Sequence, residues 1–276
     1  MIKFVANLKI MNWIYFPIYA LFTAAFWVAG VTMLFFEHRE VMIKFYGRIS
    51  VLLGTAVLSI FVLVLWLHLE RPPMRTLGET RLWYSVFLTF IGFLIYIRWG
   101  YKVVLALSVA FALLFLWINF SHPEAYEKTL MPALQSPWFI PHVIAYILSY
   151  SVLGLSWLVA VVALFMLLFR KFEIKVLDLA NNLVYMGFSL LTIGMVIGAI
   201  WAKEAWGHYW TWDPKETWAF LTWLTYLLYI HYRYYHPKRI KSHLWILSLI
   251  FVVLLICWFG LSYLPSAQNS VHVYAR

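Results

Sequence analysis

The recurrence of long apolar stretches constrains this chain more than any other feature. Eight runs, each near the roughly 20 residues a helix needs to cross the hydrocarbon core, occupy residues 11–36, 49–69, 82–97, 103–120, 142–169, 178–201, 215–234 and 244–264. Of its 276 residues, 64% are hydrophobic and 12% charged. Soluble domains run about 45–50% apolar and about 25% charged, so a water-soluble globule and a disordered tail are both excluded. The expected fold class is an all-α integral membrane protein. It would have about eight transmembrane helices in a single polytopic domain over residues 1–276, with a tryptophan-rich loop near 201–218 outside the cytoplasm. Lys3 and Lys9 precede an apolar stretch that continues to Phe36, longer than a cleaved leader, so it reads as a first span.

The formal net charge is +10, but the basic residues sit in short loops between apolar runs. They read as topogenic charges rather than as a nucleic-acid surface. Of 21 Lys and Arg, twelve fall in the four loops after spans one, three, five and seven: Arg39, Lys44, Arg48, Arg98, Lys102, Arg170, Lys171, Lys175, Arg233, Lys238, Arg239 and Lys241. The positive-inside bias places those loops in the cytoplasm and both termini outside. Three arginines in the 70–81 loop run against that bias. The single cysteine, Cys257, lies within an apolar run, so neither a disulfide framework nor a thiolate metal cluster is expected.

Five of 16 tryptophans, Trp206, Trp210, Trp212, Trp218 and Trp223, crowd into one stretch on the outward side. An interfacial belt would spread them over every span. Their concentration suggests a flat, polarisable surface for a planar aromatic ligand. Within the stretch, Asp213-Pro-Lys-Glu216 has the spacing of a helix start, with Asp at the N-cap, Pro at the first helical position and Glu three residues after the cap. Asp213 and Glu216 are thus candidates both for capping and for ligand contact. In span six, Gly194 and Gly198 form a small-xxx-small pair that reads as a close helix contact or, alternatively, as room for a planar ring ligand between the helices.

The run Trp206-Gly-His-Tyr-Trp210-Thr-Trp212-Asp-Pro-Lys-Glu216-Thr-Trp218 resembles the WWD signature of haem-handling membrane proteins. Its Asp-Pro-Lys-Glu continuation resembles the CcsA/ResC family, the cytochrome c synthase component of System II cytochrome c maturation. The segments 71–80, 130–142 and 270–274 extend the resemblance. The first departs from the family's usual Asn-x-Tyr-Glu by reading Thr-Leu-Gly-Glu79, which leaves the role of Glu79 open.

Haem iron commonly takes imidazole nitrogens as axial ligands. Of nine histidines, His38, His236 and His243 fall in basic loops and are expected to meet solvent or headgroups. His122 and His208 read as surface residues, and His68 as structural. His142 stands at the outer mouth of span five, and His272 in the tail beyond span eight. Taken alone, His142 could cap its helix and His272 could belong to a frayed tail. The resemblance implies that His142 and His272 are the two external ligands of a haem. His231 lies about 26 Å along a helix beyond Pro214. A histidine at membrane depth is a functional candidate, with snorkelling as the plain alternative. The resemblance implies that His231 ligates a second, internal haem, whose opposite ligand comes from a partner subunit.

These implications make the chain a cytochrome c synthase (haem lyase) component. It would transport haem b, its substrate, hold it at the outer membrane face against Trp206, Trp210, Trp212, Asp213, Glu216 and Trp218, and present it for thioether attachment. The implied partners are a CcsB/ResB-type membrane subunit, an apocytochrome c with a Cys-x-x-Cys-His segment, a thioredoxin-like reductase and membrane lipid, but no nucleic acid. The implied location is the bacterial inner membrane or, alternatively, the thylakoid membrane. Two other readings stand beside it. One is a haem-delivery protein of the CcmC kind, without lyase activity. The other is a transporter of another solute, with Glu79, Asp213 and Glu216 as coupling groups, although the internal repeats common in transporters are missing.

Overall fold

The computed structural model describes residues 13–36, 41–126 and 132–260. Among them lie eight α-helices and no strand: α1 Phe16–Phe35, α2 Val41–Leu69, α3 Leu77–Trp99, α4 Lys102–Ser121, α5 Phe139–Leu168, α6 Ile174–Trp206, α7 Pro214–Tyr235 and α8 Ile240–Trp258. Seven are long and apolar enough to span a membrane. The exception, α7, has 22 residues, but its threonines, tyrosines and charged ends dilute its apolarity. The chain divides into two compact units, Met1–Lys128 and Thr129–Arg276, with α1–α4 in the first and α5–α8 in the second.

In the first unit, α1 and α2 approach closely because glycines remove side chains where they touch. A Cβ on Gly30 would lie 2.7 Å from Val51 Cγ2 and 2.8 Å from the carbonyl oxygen of Gly47. With no hydrophobic force to hold helices together in lipid, such backbone-to-backbone packing is a main source of association. Gly30→Ala should therefore cost about 1–3 kcal/mol through overpacking, read as a lower unfolding temperature of the detergent-purified protein. Below this contact the Trp27 indole N–H donates to Thr55 Oγ1 at 3.1 Å, with both side chains buried.

The α2–α3 connection is built around Glu79, which is fully buried. Thr76 caps α3, and Glu79 at the third helical position completes a capping box. The same carboxylate takes a bidentate pair from Arg71, at 2.9 and 2.8 Å, and the Arg75 backbone N–H at 2.7 Å. The role left open by the sequence is thus filled: Glu79 fastens the loop to the helix start. Nearby, Asn119 donates to the Gly78 carbonyl at 2.9 Å, and the Tyr126 hydroxyl donates to the Asn119 carbonyl. Burial pushes the Tyr126 pKa up to about 12, so this hydroxyl keeps its proton and remains a donor. Gly100, left-handed at φ 77°, ends α3 and turns the chain directly into α4.

In the second unit, α5 and α6 run side by side along a polar and small-residue seam. Ser149 donates to the Gly187 carbonyl at 2.7 Å, and Ser156 to the Ala180 carbonyl at 2.9 Å. Helix α7 is tied to α6 by Tyr229, whose hydroxyl donates to Asn181 Oδ1 at 2.7 Å. Helix α8 packs on α5 through Trp157 and Phe251, stacked at 4.9 Å. One end of this unit gathers the basic residues of the α5–α6 and α7–α8 connections, and the other gathers the aromatic residues of the α6–α7 connection.

Candidate functional site

At the aromatic end, the first turn of α5 presents His142, and the seam with α6 determines how its ring sits. His142 Nδ1 lies 2.8 Å from the Gly194 carbonyl oxygen. A carbonyl can only accept, so in the neutral ring Nδ1 carries the proton and Nε2 carries the lone pair. That is the tautomer in which an imidazole ligates a metal through Nε2 while a backbone acceptor holds its other nitrogen. The two glycines make this approach possible. A Cβ on Gly198 would lie 2.7 Å from His142 Nδ1 and Cε1, and one on Gly194 2.6 Å from the Tyr146 ring. The small-xxx-small pair thus lies at a close helix contact, as its spacing suggests, and what fills the space is the pair of rings from α5.

The imidazole is bracketed by aromatic rings. Trp201 stacks on it at 5.5 Å and 25°, and Tyr146 meets it edge-on at 4.7 Å. Trp201 is fixed in turn by Phe139 at 5.1 Å and by its indole N–H, which donates to the Ala133 carbonyl at 2.8 Å. Trp206 lies edge-on to Trp201 at 4.8 Å. Both tryptophans belong to α6, which continues to Trp206 and ends at left-handed Gly207. The tryptophan-rich stretch expected as one loop over 201–218 is therefore a helix end, a turn over 207–213, and a helix start. Hydropathy alone ends the span at Trp201, because Lys203 and Glu204 lower it without breaking the helix.

The turn carries Trp210 and Trp212, and both acidic residues of the motif hold it. Asp213 and Glu216 form a complete capping box on α7. Glu216 Oε2 also accepts from the Thr211 N–H at 2.7 Å and the Asp213 N–H at 3.2 Å. Thr217 Oγ1 donates to the Trp212 carbonyl at 3.1 Å. Trp212 is thus pinned on both sides in a left-handed conformation, φ 60°, which a bulky residue adopts only under constraint. Its indole is 63% exposed and stands perpendicular to Trp210 and to Phe220. The Trp210 N–H is enclosed and lacks a partner among the described residues. Trp218 is half-buried on the first turns of α7. Trp223, by contrast, donates to Thr192 Oγ1 at 3.0 Å and stacks on Phe188, which ties α7 to α6.

The remaining histidines separate clearly. His231 is exposed on α7, toward the basic end of the unit and away from His142. Its Nδ1 lies 2.9 Å from the Leu227 carbonyl oxygen, which gives it the same tautomer. His272 lies outside the described residues, as does His38. His122, His208 and His236 are exposed. His243 corrects the sequence reading: instead of meeting solvent it is fully buried, with Tyr232 and Tyr229 edge-on to its ring. Lys241 and Arg239 beside it suggested a loop, whereas its helical phase aligns it with Leu244, Leu247 and Phe251 on the packed face of α8. Among the described residues, no group of three or more His, Cys, Asp or Glu side chains could hold a metal ion. Cys257 is free and buried.

The fold and this end of the second unit define a polytopic membrane protein in which an imidazole, held by a backbone carbonyl, sits among clustered indoles. A family model described as cytochrome C assembly protein matches residues 15–267, and the chain belongs to that family, in its CcsA branch. It is 33% identical to cytochrome c biogenesis protein CcsA of Chlamydomonas reinhardtii, over 87% of this chain and 71% of that one. To the CcsA protein of Mesostigma viride it is 29% identical, over 90% and 94%. Among solved structures it is similar to cytochrome c heme lyase CcmF, with a TM-score of 0.70 at 17% identity. That likeness is one of fold, and it covers 93% of this chain but 48% of the lyase.

Proposed function

We propose that this chain is the haem-handling subunit of a cytochrome c synthase, and that His142 is an axial ligand of the haem b it presents on the extracytoplasmic side. The observation that carries this reading is the 2.8 Å bond from His142 Nδ1 to the Gly194 carbonyl, which puts the lone pair on Nε2, the atom through which an imidazole so held ligates a metal. His272 would supply the opposite ligand. Trp206, Trp210, Trp212 and Trp218 would offer ring faces and indole N–H groups to the porphyrin. Asp213 and Glu216 serve by fixing the turn. His231 would take an internal haem, with a partner subunit of the CcsB/ResB type on the other face.

The chemistry asks little of this chain beyond placement. Each thiol of an apocytochrome Cys-x-x-Cys-His segment adds its sulfur and its hydrogen across one vinyl group. A C–S and a C–H bond form, with no net oxidation. Buried Cys257 is suited to packing, and the reacting sulfurs belong to the substrate, kept reduced by a thioredoxin-like protein. Catalysis then comes mainly from proximity and orientation, with the axial imidazole and its backbone acceptor tuning the iron. Against the transporter alternative, Glu79, Asp213 and Glu216 each close a capping box, which leaves no carboxylate of that set for coupling.

The test is coexpression with a ResB-type subunit and a Cys-x-x-Cys-His acceptor, followed by a haem stain on a denaturing gel. Haem that remains on the acceptor supports a synthase. Haem bound to the purified membrane protein without covalent transfer points to a delivery protein. A colourless preparation rejects both.

A further inference from the structure

Three arginines, Arg71, Arg75 and Arg81, lie at one end of the first unit, within eleven residues of sequence. The loop over 70–76 joins two helices of membrane-crossing length and apolarity, α2 with 29 residues and α3 with 23, so whichever way the chain is inserted it sits at the level of the headgroups. The loop is held in place: Pro73 and Met74 are buried, the Met74 N–H donates to the Pro72 carbonyl at 3.0 Å, and Glu79 accepts from the backbone of Arg75 and Thr76.

The acid of this cluster is already committed. Glu79 receives both arms of Arg71 and two backbone N–H groups. Arg75 contributes only its backbone to that arrangement. Its guanidinium Nε is enclosed and has no hydrogen-bond partner among the described residues. Burial and the neighbouring Arg71 charge pull the Arg75 pKa below its ordinary value, while Glu79 pulls it back. A half-buried guanidinium beside a second one is costly unless an anion completes it, and the guanidinium fork matches the oxygens of a phosphate.

We propose that the 70–76 loop, with Arg75 at its centre, binds a phosphate anion, supplied in the membrane by the headgroup of an acidic phospholipid. The site belongs to the first unit and is independent of haem. It also gives Arg75, one of the three arginines that run against the charge bias of the other loops, a role other than orientation.

Native mass spectrometry of the full chain in detergent tests this, with separate titrations of phosphatidylglycerol, phosphatidylcholine and inorganic phosphate. The expected result is one saturable phosphatidylglycerol adduct, weakened about tenfold or more in Arg75→Gln, in line with loss of a charge-assisted pair. A control substitution at the opposite end, Lys102→Gln, should leave it unchanged. Should Arg75→Gln fail to fold, Arg75→Lys keeps the charge but loses the fork, and an intermediate weakening is expected. Equal retention of phosphatidylglycerol by the wild type and both Arg75 variants overturns the proposal. So does equal binding of phosphatidylcholine, which would mean that the acyl chains alone are held. If inorganic phosphate binds with the same Arg75 dependence and no acidic-lipid adduct forms, the anion site stands and its ligand is free phosphate.

Discussion

Replacing His142 with alanine is expected to lower covalent haem attachment to a coexpressed acceptor by about a hundredfold or more, the scale on which a lost metal ligand or its support registers, while the membrane protein still folds. Folding should survive because the half-buried ring contributes one hydrogen bond and aromatic contacts at a helix start, whereas the seam below it is held independently by Ser149 and Ser156. Gly198→Ala makes the sharper companion. It keeps the imidazole but places a methyl group 2.7 Å from Nδ1 and Cε1. The ring, confined between Trp201 and the Gly194 carbonyl, must turn off its acceptor. Haem affinity should then fall by about ten- to a hundredfold, with an altered Soret maximum and midpoint potential and no ligand removed. Free imidazole added to His142→Ala should restore part of the Soret intensity. A His142→Ala protein that retains full haem and full attachment would remove His142 from the site.

How much of this was readable in advance differs from element to element. Eight apolar runs correspond to eight helices, because hydropathy over about 20 residues is a property of each segment alone. The ends differ where helix and apolarity part company. Helix α2 begins at Val41 and α6 continues to Trp206, through Lys44, Arg48, Lys203 and Glu204, all tolerated in a helix. The cap at Asp213 and Glu216 was legible because its chemistry spans four consecutive residues. Thr76 and Glu79 carry the same signal, a Thr three residues before a Glu, in a segment that departs from the family's usual pattern. What no local pattern contains is partnership. The glycine spacing announced a close contact without revealing that the His142 imidazole would fill it, and the charges beside His243 outweighed the helical phase that buries it.

Neutralising Glu79 should produce the largest loss of stability in the chain. Glu79→Gln keeps the volume but weakens the capping box, breaks the charge-assisted fork from Arg71, and leaves Arg71 and Arg75 facing each other without their shared acid. Removing one member of a buried pair costs about 3–5 kcal/mol. Arg71 retains 17% side-chain exposure, which places this case toward the lower end, near about 3 kcal/mol. A fall in the unfolding temperature of the detergent-purified protein would measure it. The origin of the loss is open to a double-mutant cycle: if the buried charge left behind is what hurts, Arg71→Gln with Glu79→Gln should cost clearly less than the two single changes together. Additive costs would mean that the fork contributes little and that the cap alone matters. The same variant separates structure from transport. A coupling carboxylate, once neutralised, would leave stability intact and abolish a proton-driven step, whereas a fastening carboxylate loses stability first. Its location in the first unit, with His142 in the second, makes the two predictions independent: haem should be retained by the Glu79→Gln protein that remains folded, and fold should be retained by the His142→Ala protein that loses haem.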